Sequence, residues 1–447
     1  GFTNDLIEEI SKIDGLRVLS LGSTKYFDGP MHTAQASISP VLVEDVSHVV
    51  DYYIYGDYLK EGNTVNITLH AGRDLNAKPF WTESFSSDIA QIPSLAQEIS
   101  ADVSKEIGID EQTVSRIFEK ELRPVKPETY ELLLKGKYYI DKSSLEDLQR
   151  GLVYFQEAVD KNPADPYAHG GLAEGYISLA HNIMAPDDVF PKALAAAKRA
   201  IQLDSNSAEG WAALADYHTY FGWDWELADY AFKRANELNP NLAMNHYHRA
   251  WYLYLFDQMD EAIVEHRRAQ ELDPFTVRHT AWLGELYRSN GEYEKALEEI
   301  DRAELMRDDN ALTIRLKARL FLDMDEVDSA LFYYKIAGEI NPGWRYLTYG
   351  PILISLGKDE GLEIKEEVLA LPKTAFISNC LASMYFNLEK RDSAFYWLQK
   401  GKSFAWYPWY VRKMLGQTEV RDDPRYVQLL RELNLPPLEM NKPAMDL

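Results

Sequence analysis

The chain has one cysteine, Cys380, in 447 residues, which excludes an internal disulfide framework and any cysteine-rich zinc site. A lone thiol fits a reducing cytosol or a periplasm in which nothing needs pairing. No run approaches the ~18 consecutive apolar residues of a membrane-spanning helix. Basic side chains are also short: 47 against 71 acidic ones, a formal charge of −24. Phosphate backbones require a basic footprint, so this balance argues against direct nucleic-acid binding. G-x-S-x-G, the P-loop and a strand-following G-x-G-x-x-G are all absent. What is abundant is apolar residue, 46% of the chain, ample for a packed interior.

The second half is dominated by a repeat. Pro240 and Pro274 are 34 residues apart, and two further steps reach Asp308 and Pro342. Ala228, Ala262, Ala296 and Ala330 keep that step, as do Ala235, Ala269, Ala303 and Ala337. A third small-residue column runs through Ala250, Gly284 and Ala318. Three columns in register mark a helix–turn–helix repeat with the tetratricopeptide period. Small residues sit where the two helices of a unit cross, and Phe232 and Tyr334 fill the space between units. Proline after the second helix, as at Pro163, Pro240, Pro274 and Pro342, ends it. Looser copies extend both ways, giving about eight helical hairpins over residues 129–405. A hairpin cannot bury its apolar face alone, so the expected product is a superhelix. Residues 406–447 read as a capping segment, with a helix over Arg421–Leu435 covering the last apolar face.

Residues 1–121 have another character. Leu6, Ile7, Ile10 and Ile13 have helical spacing, Leu16–Ser20 reads as a short strand, and Leu42–Val49 as a second helix. Tyr52–Leu59 and Thr64–His70 alternate around Glu61-Gly62-Asn63, which predicts a β-hairpin. Lys78–Glu83 makes a further strand and Ser94–Ile107 a long helix. Together these predict a small α+β domain with a mixed sheet, joined to the repeats by a linker over 122–128 that contains Pro124 and Pro127. The whole is mainly α.

Gly1-Phe2-Thr3-Asn4-Asp5-Leu6-Ile7 followed by Ile13–Ser20 resembles the amino-terminal TolB-like (FlgO-like) domain of bacterial regulators. Tyr53-Ile54-Tyr55-Gly56, Val65-Asn66-Ile67-Thr68 and Phe80-Trp81-Thr82-Glu83-Ser84-Phe85 follow in that domain's order. In that family tetratricopeptide repeats come next, and Trp223-Asp224-Trp225-Glu226 and Asp422-Asp423-Pro424-Arg425-Tyr426 are family-like details. The resemblance implies the carboxy-terminal sensor region of a membrane-anchored transcriptional regulator or cyclase, periplasmic (a cytoplasmic setting being the alternative), with its membrane tether and output domain upstream. The chain begins at the family's first helix, at Gly1 rather than Met. It therefore reads as a piece of something longer, lacking the domain's first strand. Residues 28–42 match the family poorly.

Catalytic and metal readings are weak. His246 and His248, two apart on a helix, point to different faces, unlike an i,i+4 zinc pair. His169 and His218 occupy packing columns. Cys380 reads as a buried small hydrophobe. Gly170-Gly171 lies in a repeat helix, and Asn66-Ile67-Thr68, a glycosylation acceptor pattern, lies in a strand. No enzyme, metal or cofactor is expected.

The first helix of each unit lines the concave groove, with its positions 2, 5, 9 and 12 on one side. There the fourth unit offers Tyr247, Trp251 and Tyr254, the fifth Arg278, Glu285 and Arg288, and the sixth Arg315 and Arg319. An aromatic wall beside an arginine cluster suits stacking and forked hydrogen bonding to carboxylates or phosphates. The partner expected is a peptide or protein, or a small anionic or carbohydrate ligand. The opposing expectation is that these side chains are ordinary helix faces or pack against the amino-terminal domain. A sensor or interaction module follows, with the small domain transmitting or forming a homodimer. A scaffold for a multiprotein assembly is the alternative.

Overall fold

Strand alternation builds the amino-terminal sheet. β1 (Tyr53–Glu61), β2 (Thr64–Gly72) and β3 (Trp81–Asp88) pair antiparallel in the order β1-β2-β3. Gly62 opens the two-residue loop at φ 63°, a value that costs glycine nothing. On β2 the side chains of Val65, Ile67, Leu69 and Ala71 are buried in alternation. Val65, Ile67 and Leu69 share a cluster with Ile92, Leu95, Ile99 and Val103 of the helix Ile92–Glu106. β3 starts three residues later than the sequence indicates and runs to Asp88, because its pairing follows β2 out to Thr64↔Asp88.

In this computed structural model the described residues are 51–73, 78–109, 127–140, 145–182, 186–415, 420–421 and 423–437, with Leu6, Ile10 and Val18. Leu6 and Ile10 are helical and buried in the cluster on β2. The helix expected over Leu42–Val49, most of the strand expected over Leu16–Ser20, and the linker residues 122–126 lie outside the described residues. The described sheet is antiparallel throughout, and the mixed pairing expected from the sequence is not among its ladders.

From Pro127 the described residues fold into eight helical hairpins. Their helices are Pro127–Ile140 with Leu145–Lys161, Pro166–Asn182 with Pro186–Leu203, and Ala208–Tyr217 with Trp225–Leu238. Next come Ala243–Leu255 with Met259–Leu272, Val277–Ser289 with Tyr293–Met306, and Ala311–Asp323 with Val327–Ile340. In the seventh, Pro342–Trp344 and a wide turn Arg345–Tyr349 lead into Gly350–Ser355, which pairs with Asp359–Ala370. Ala375–Asn387 and Arg391–Lys400 form the eighth. The small-residue columns lie at the crossings: Ala228, Ala262, Ala296 and Ala330 are all 0% exposed. A Cβ on Gly284 would fall 2.7 Å from Ile300.

The turns between helices carry a column of their own. Asp257, Gly291, Asp325, Gly357 and Glu389 all adopt positive φ, between 59° and 77°. The N–H of the following residue bonds back five positions, as Gln258 to Leu253, Glu292 to Tyr287 and Glu326 to Phe321. This is the Schellman closure of a helix.

Beyond the eighth hairpin the chain turns inward. Tyr407–Trp409, a wide turn Tyr410–Leu415 and the helix Pro424–Glu432 return toward the third and fourth hairpins. Asp423 caps that helix, and Arg425 lies over Phe395 of the last hairpin. Its far end reaches further: Trp225 Nε1 donates to the Leu433 carbonyl at 2.7 Å, and Asn434 Nδ2 to the Trp223 carbonyl at 3.2 Å.

Candidate functional site

The aromatic half of the expected groove is covered by the chain itself. Tyr247, Trp251 and Tyr254 are 2%, 3% and 7% exposed. Trp251 meets Trp282 edge-on at 4.8 Å and Trp406 at 5.5 Å, and its carbonyl accepts from Trp409 Nε1 at 3.0 Å. Tyr247 packs against His266 and His279, and the Lys413 ammonium lies 4.3 Å from the Tyr254 ring centroid. Arg412 and Lys413 both pair with Asp257 at the fourth hairpin's turn. Among the described residues the cover thus comes from the stretch 404–415 rather than from the amino-terminal domain. The aromatic run Trp406-Tyr407-Pro408-Trp409-Tyr410 was the sequence signal for it.

Beneath Trp406 and Trp409 lies a buried polar cluster. Tyr220 stacks on Trp409 at 4.9 Å, and its hydroxyl shares a 2.8 Å hydrogen bond with His248 Nδ1. His248 Nε2 stands 3.6 Å from Asp216 Oδ2. Burial pushes the Asp216 carboxyl up and the His248 ring down, each away from its charged form. His181 stacks on His248 at 5.0 Å, and both its ring nitrogens are buried without a partner among the described residues. Burial, helped by Arg278, lowers His181 to about 3. His246 turns the other way, to Glu265 and the Pro240 carbonyl, which separates the two histidines as their spacing requires. Among the described residues no group of His, Cys, Asp or Glu is arranged to hold a metal. Cys380 is fully buried, which pushes its thiol up and leaves it inert.

The arginine half is built differently. Arg288 grips both oxygens of Glu285, at 2.8 and 3.1 Å, and also bonds Asp323. Arg319 donates to the same Glu285 Oε1 at 2.9 Å. Burial alone would raise Glu285, but the Arg288 and Arg319 charges override it and hold the carboxyl at about 2. Arg315, only 5% exposed, has no such partner among the described residues: its guanidinium lies over Trp282 at 5.3 Å and Trp344 at 4.4 Å, and its Nε is buried unpaired. Burial, only partly opposed by Glu285, lowers it to about 10. Arg278 is half-buried one turn before Trp282. The structure brings Glu285, Arg288, Arg315 and Arg319 into one cluster. Sequence reasoning missed Trp282 and Trp344, which lie off the groove positions of a regular unit.

No protein-family model matches the chain. The transcriptional regulator HilA of Salmonella typhimurium (strain LT2) is 26% identical over 229 residues, 50% of this chain and 40% of that protein. HilA of Salmonella paratyphi A is 25% identical over the same length. The chain thus spans 40% of the length of the curated relatives it matches. Among solved structures, TTC0263, a thermophilic TPR protein of Thermus thermophilus, is 23% identical, with 43% of this chain and 99% of that one aligned at a TM-score of 0.36. YrrB, a TPR protein with an unusual peptide-binding site, is 20% identical over 42% of this chain and 92% of that one, at 0.31. The chain is a stack of helical hairpins of the tetratricopeptide kind, with distant similarity to HilA over half its length.

Proposed function

We propose that this chain is the partner-binding region of a bacterial regulatory protein, and that its repeats hold an acidic peptide segment along the arginine side of the groove. The observation that carries this reading is the charge left over there. In a chain of formal charge −24, the first helices of the fifth and sixth hairpins contribute Arg278, Arg288, Arg315 and Arg319 against Glu285, with Asp323 at the sixth helix's end. A local positive field in an acidic shell selects anionic partners by position rather than by net charge.

The rest of the reading leans on resemblance. The TolB-like likeness of residues 1–121 and the distant similarity to HilA support a regulator, with the small domain transmitting or dimerising and the tether upstream. A periplasmic setting belongs to the same reading. A scaffold without sensing would use the same groove. Its residues bind and position; none is assigned a catalytic step.

The test is selection of peptides on the immobilised full chain from a library balanced in charge. Enrichment of Asp- and Glu-rich peptides, lost in Arg278→Glu with the helical circular dichroism unchanged, is the expected result. Enrichment blind to charge, or unaffected by that variant, rules the reading out.

A further inference from the structure

Three arginines of this groove, Arg288 and Arg315 buried and Arg319 half-buried, face two carboxylates, Glu285 and Asp323, and the shortfall falls on one residue. Glu285 is shared by Arg288 and Arg319, and Asp323 is taken by Arg288. Among the described residues Arg315 is left with the indole rings of Trp282 and Trp344. Cation–π contact supplies about 0.5–2 kcal/mol at such a site. It makes no hydrogen bond in the plane of the guanidinium, where all five N–H donors point. A buried, unpaired charge is costly, and the usual remedy is a paired oxyanion.

The geometry is specific as well. Arg315 comes from the sixth hairpin, Trp282 from the fifth and Trp344 from the seventh. Three consecutive units therefore meet at one guanidinium, with the indole rings of two of them beside it. Trp282 continues the stack to Trp406 of the returning segment, at 6.4 Å and 21°. A planar fork held in place by two neighbouring rings is pre-organised for bidentate contact with a carboxylate or phosphoryl group.

We propose that Arg315, held beside Trp282 and Trp344, is an oxyanion-binding residue of the groove, taking a carboxylate or phosphoryl group on its guanidinium edge. The proposal rests on the groove reading above and names the chemistry of its anchor point. Arg278, half-buried one turn before Trp282, adds charge to the approach.

The experiment uses the full chain and titrates it separately with succinate, inorganic phosphate and sodium chloride at constant ionic strength. The Arg315 Nε–Hε resonance is followed by NMR, assigned by its loss in Arg315→Met. A saturable shift with succinate, phosphate or both, absent with chloride, is expected; the anion that acts at lower concentration distinguishes a carboxylate source from a phosphoryl one. In Arg315→Lys, which keeps the charge and stem but loses the fork, the shift of the indole N–H signals of Trp282 and Trp344 should require roughly ten- to hundredfold more anion. Equal shifts with chloride, or unchanged indole titrations in Arg315→Lys, overturn the proposal. If acidic peptides still bind through Arg278 while neither small anion moves Arg315, this inference fails and the groove reading stands.

Discussion

Single residues here show how a buried polar group is tolerated and at what cost. His181 keeps two buried ring nitrogens without a partner among the described residues, with its ring edge-on to Tyr220 at 4.2 Å and stacked on His248. Its native pKa of about 3 lies below the ordinary value of 6.5, and His266 and His279 are lowered to about 3 and about 4, in each case by burial first. At pH 7 the native and unfolded forms both leave these rings largely neutral. As pH falls below 6.5 the unfolded chain takes up protons that the native rings refuse. Stability therefore drops with falling pH, by about 1.4 kcal/mol per pH unit for each ring, until its native pKa is reached. His181→Phe replaces the ring by an apolar one of similar shape. Urea midpoints measured from pH 7 to 4 should be higher than wild type at neutral pH and decline less steeply; an unchanged slope would show that His181 titrates normally. Glu285 works in the same direction: held at about 2, it contributes stability above 4.5 that is lost as pH falls toward 2. Glu285→Gln leaves Arg288 and Arg319 short of charge in a buried site. It should cost about 3–5 kcal/mol in urea unfolding at pH 7, where a surface pair would cost less than about 1.

At the scale of the element, the turn that closes each hairpin is the simplest place to gain stability. Asp325 is exposed and sits at φ 61° where Gly291 and Gly357 stand in neighbouring units. A Cβ in that region costs roughly 1–2 kcal/mol, partly offset by glycine's greater freedom when unfolded. Asp325→Gly should therefore raise stability in urea unfolding by about 0.5–1 kcal/mol, and a fall would mean the aspartate holds the turn by another contact. This column kept the 34-residue step from Asp257 through Gly291 to Asp325, yet it was not legible, because aspartate tolerates the left-handed region but is far commoner outside it. The alanine columns were legible because only a small side chain fits a helix crossing. The hairpin at Gly62 was legible because alternation and a turn coincide. What periodicity could not reveal was anything aperiodic: Trp344 reaching Arg315 from a degraded seventh unit, or Trp406 and Trp409 returning to the fourth. The returning segment is itself testable. Trp409 is 6% exposed, stacked on Tyr220 and bonded to the Trp251 carbonyl. Trp409→Ala should cost about 3–5 kcal/mol and increase the solvent exposure of Trp251, read as iodide quenching; a loss below about 1 kcal/mol would mean the segment lies loosely on the groove.

At the scale of the whole molecule, that return changes how the array holds together. A linear solenoid is stabilised by neighbour contacts, so a defect in one unit is felt mainly by the next. In this chain the stretch Trp223-Asp224-Trp225-Glu226 and the helix begun by Asp423-Pro424 are far apart in sequence. They nonetheless meet through the Trp225–Leu433 and Asn434–Trp223 hydrogen bonds, at separations of 208 and 211 residues. Arg412 and Lys413 add ion pairs to Asp257 across 155 and 156 residues. The third and fourth hairpins are thereby tied to whatever follows the eighth, and the array is closed into a loop of contacts. Trp225→Phe removes one buried hydrogen bond and keeps the ring packing, a loss of about 1–3 kcal/mol because the Leu433 carbonyl is left unpaired. In a closed array this change should speed amide hydrogen exchange in the helix Pro424–Glu432 as much as in the second helix of the third hairpin. In an array held only by neighbours, acceleration would stop at the second and fourth hairpins, and the carboxy-terminal helix would exchange as in the wild type. The distinction bears on function, since a partner that displaces Trp406 from Trp251 and Trp282 would loosen both ends of the closure at once.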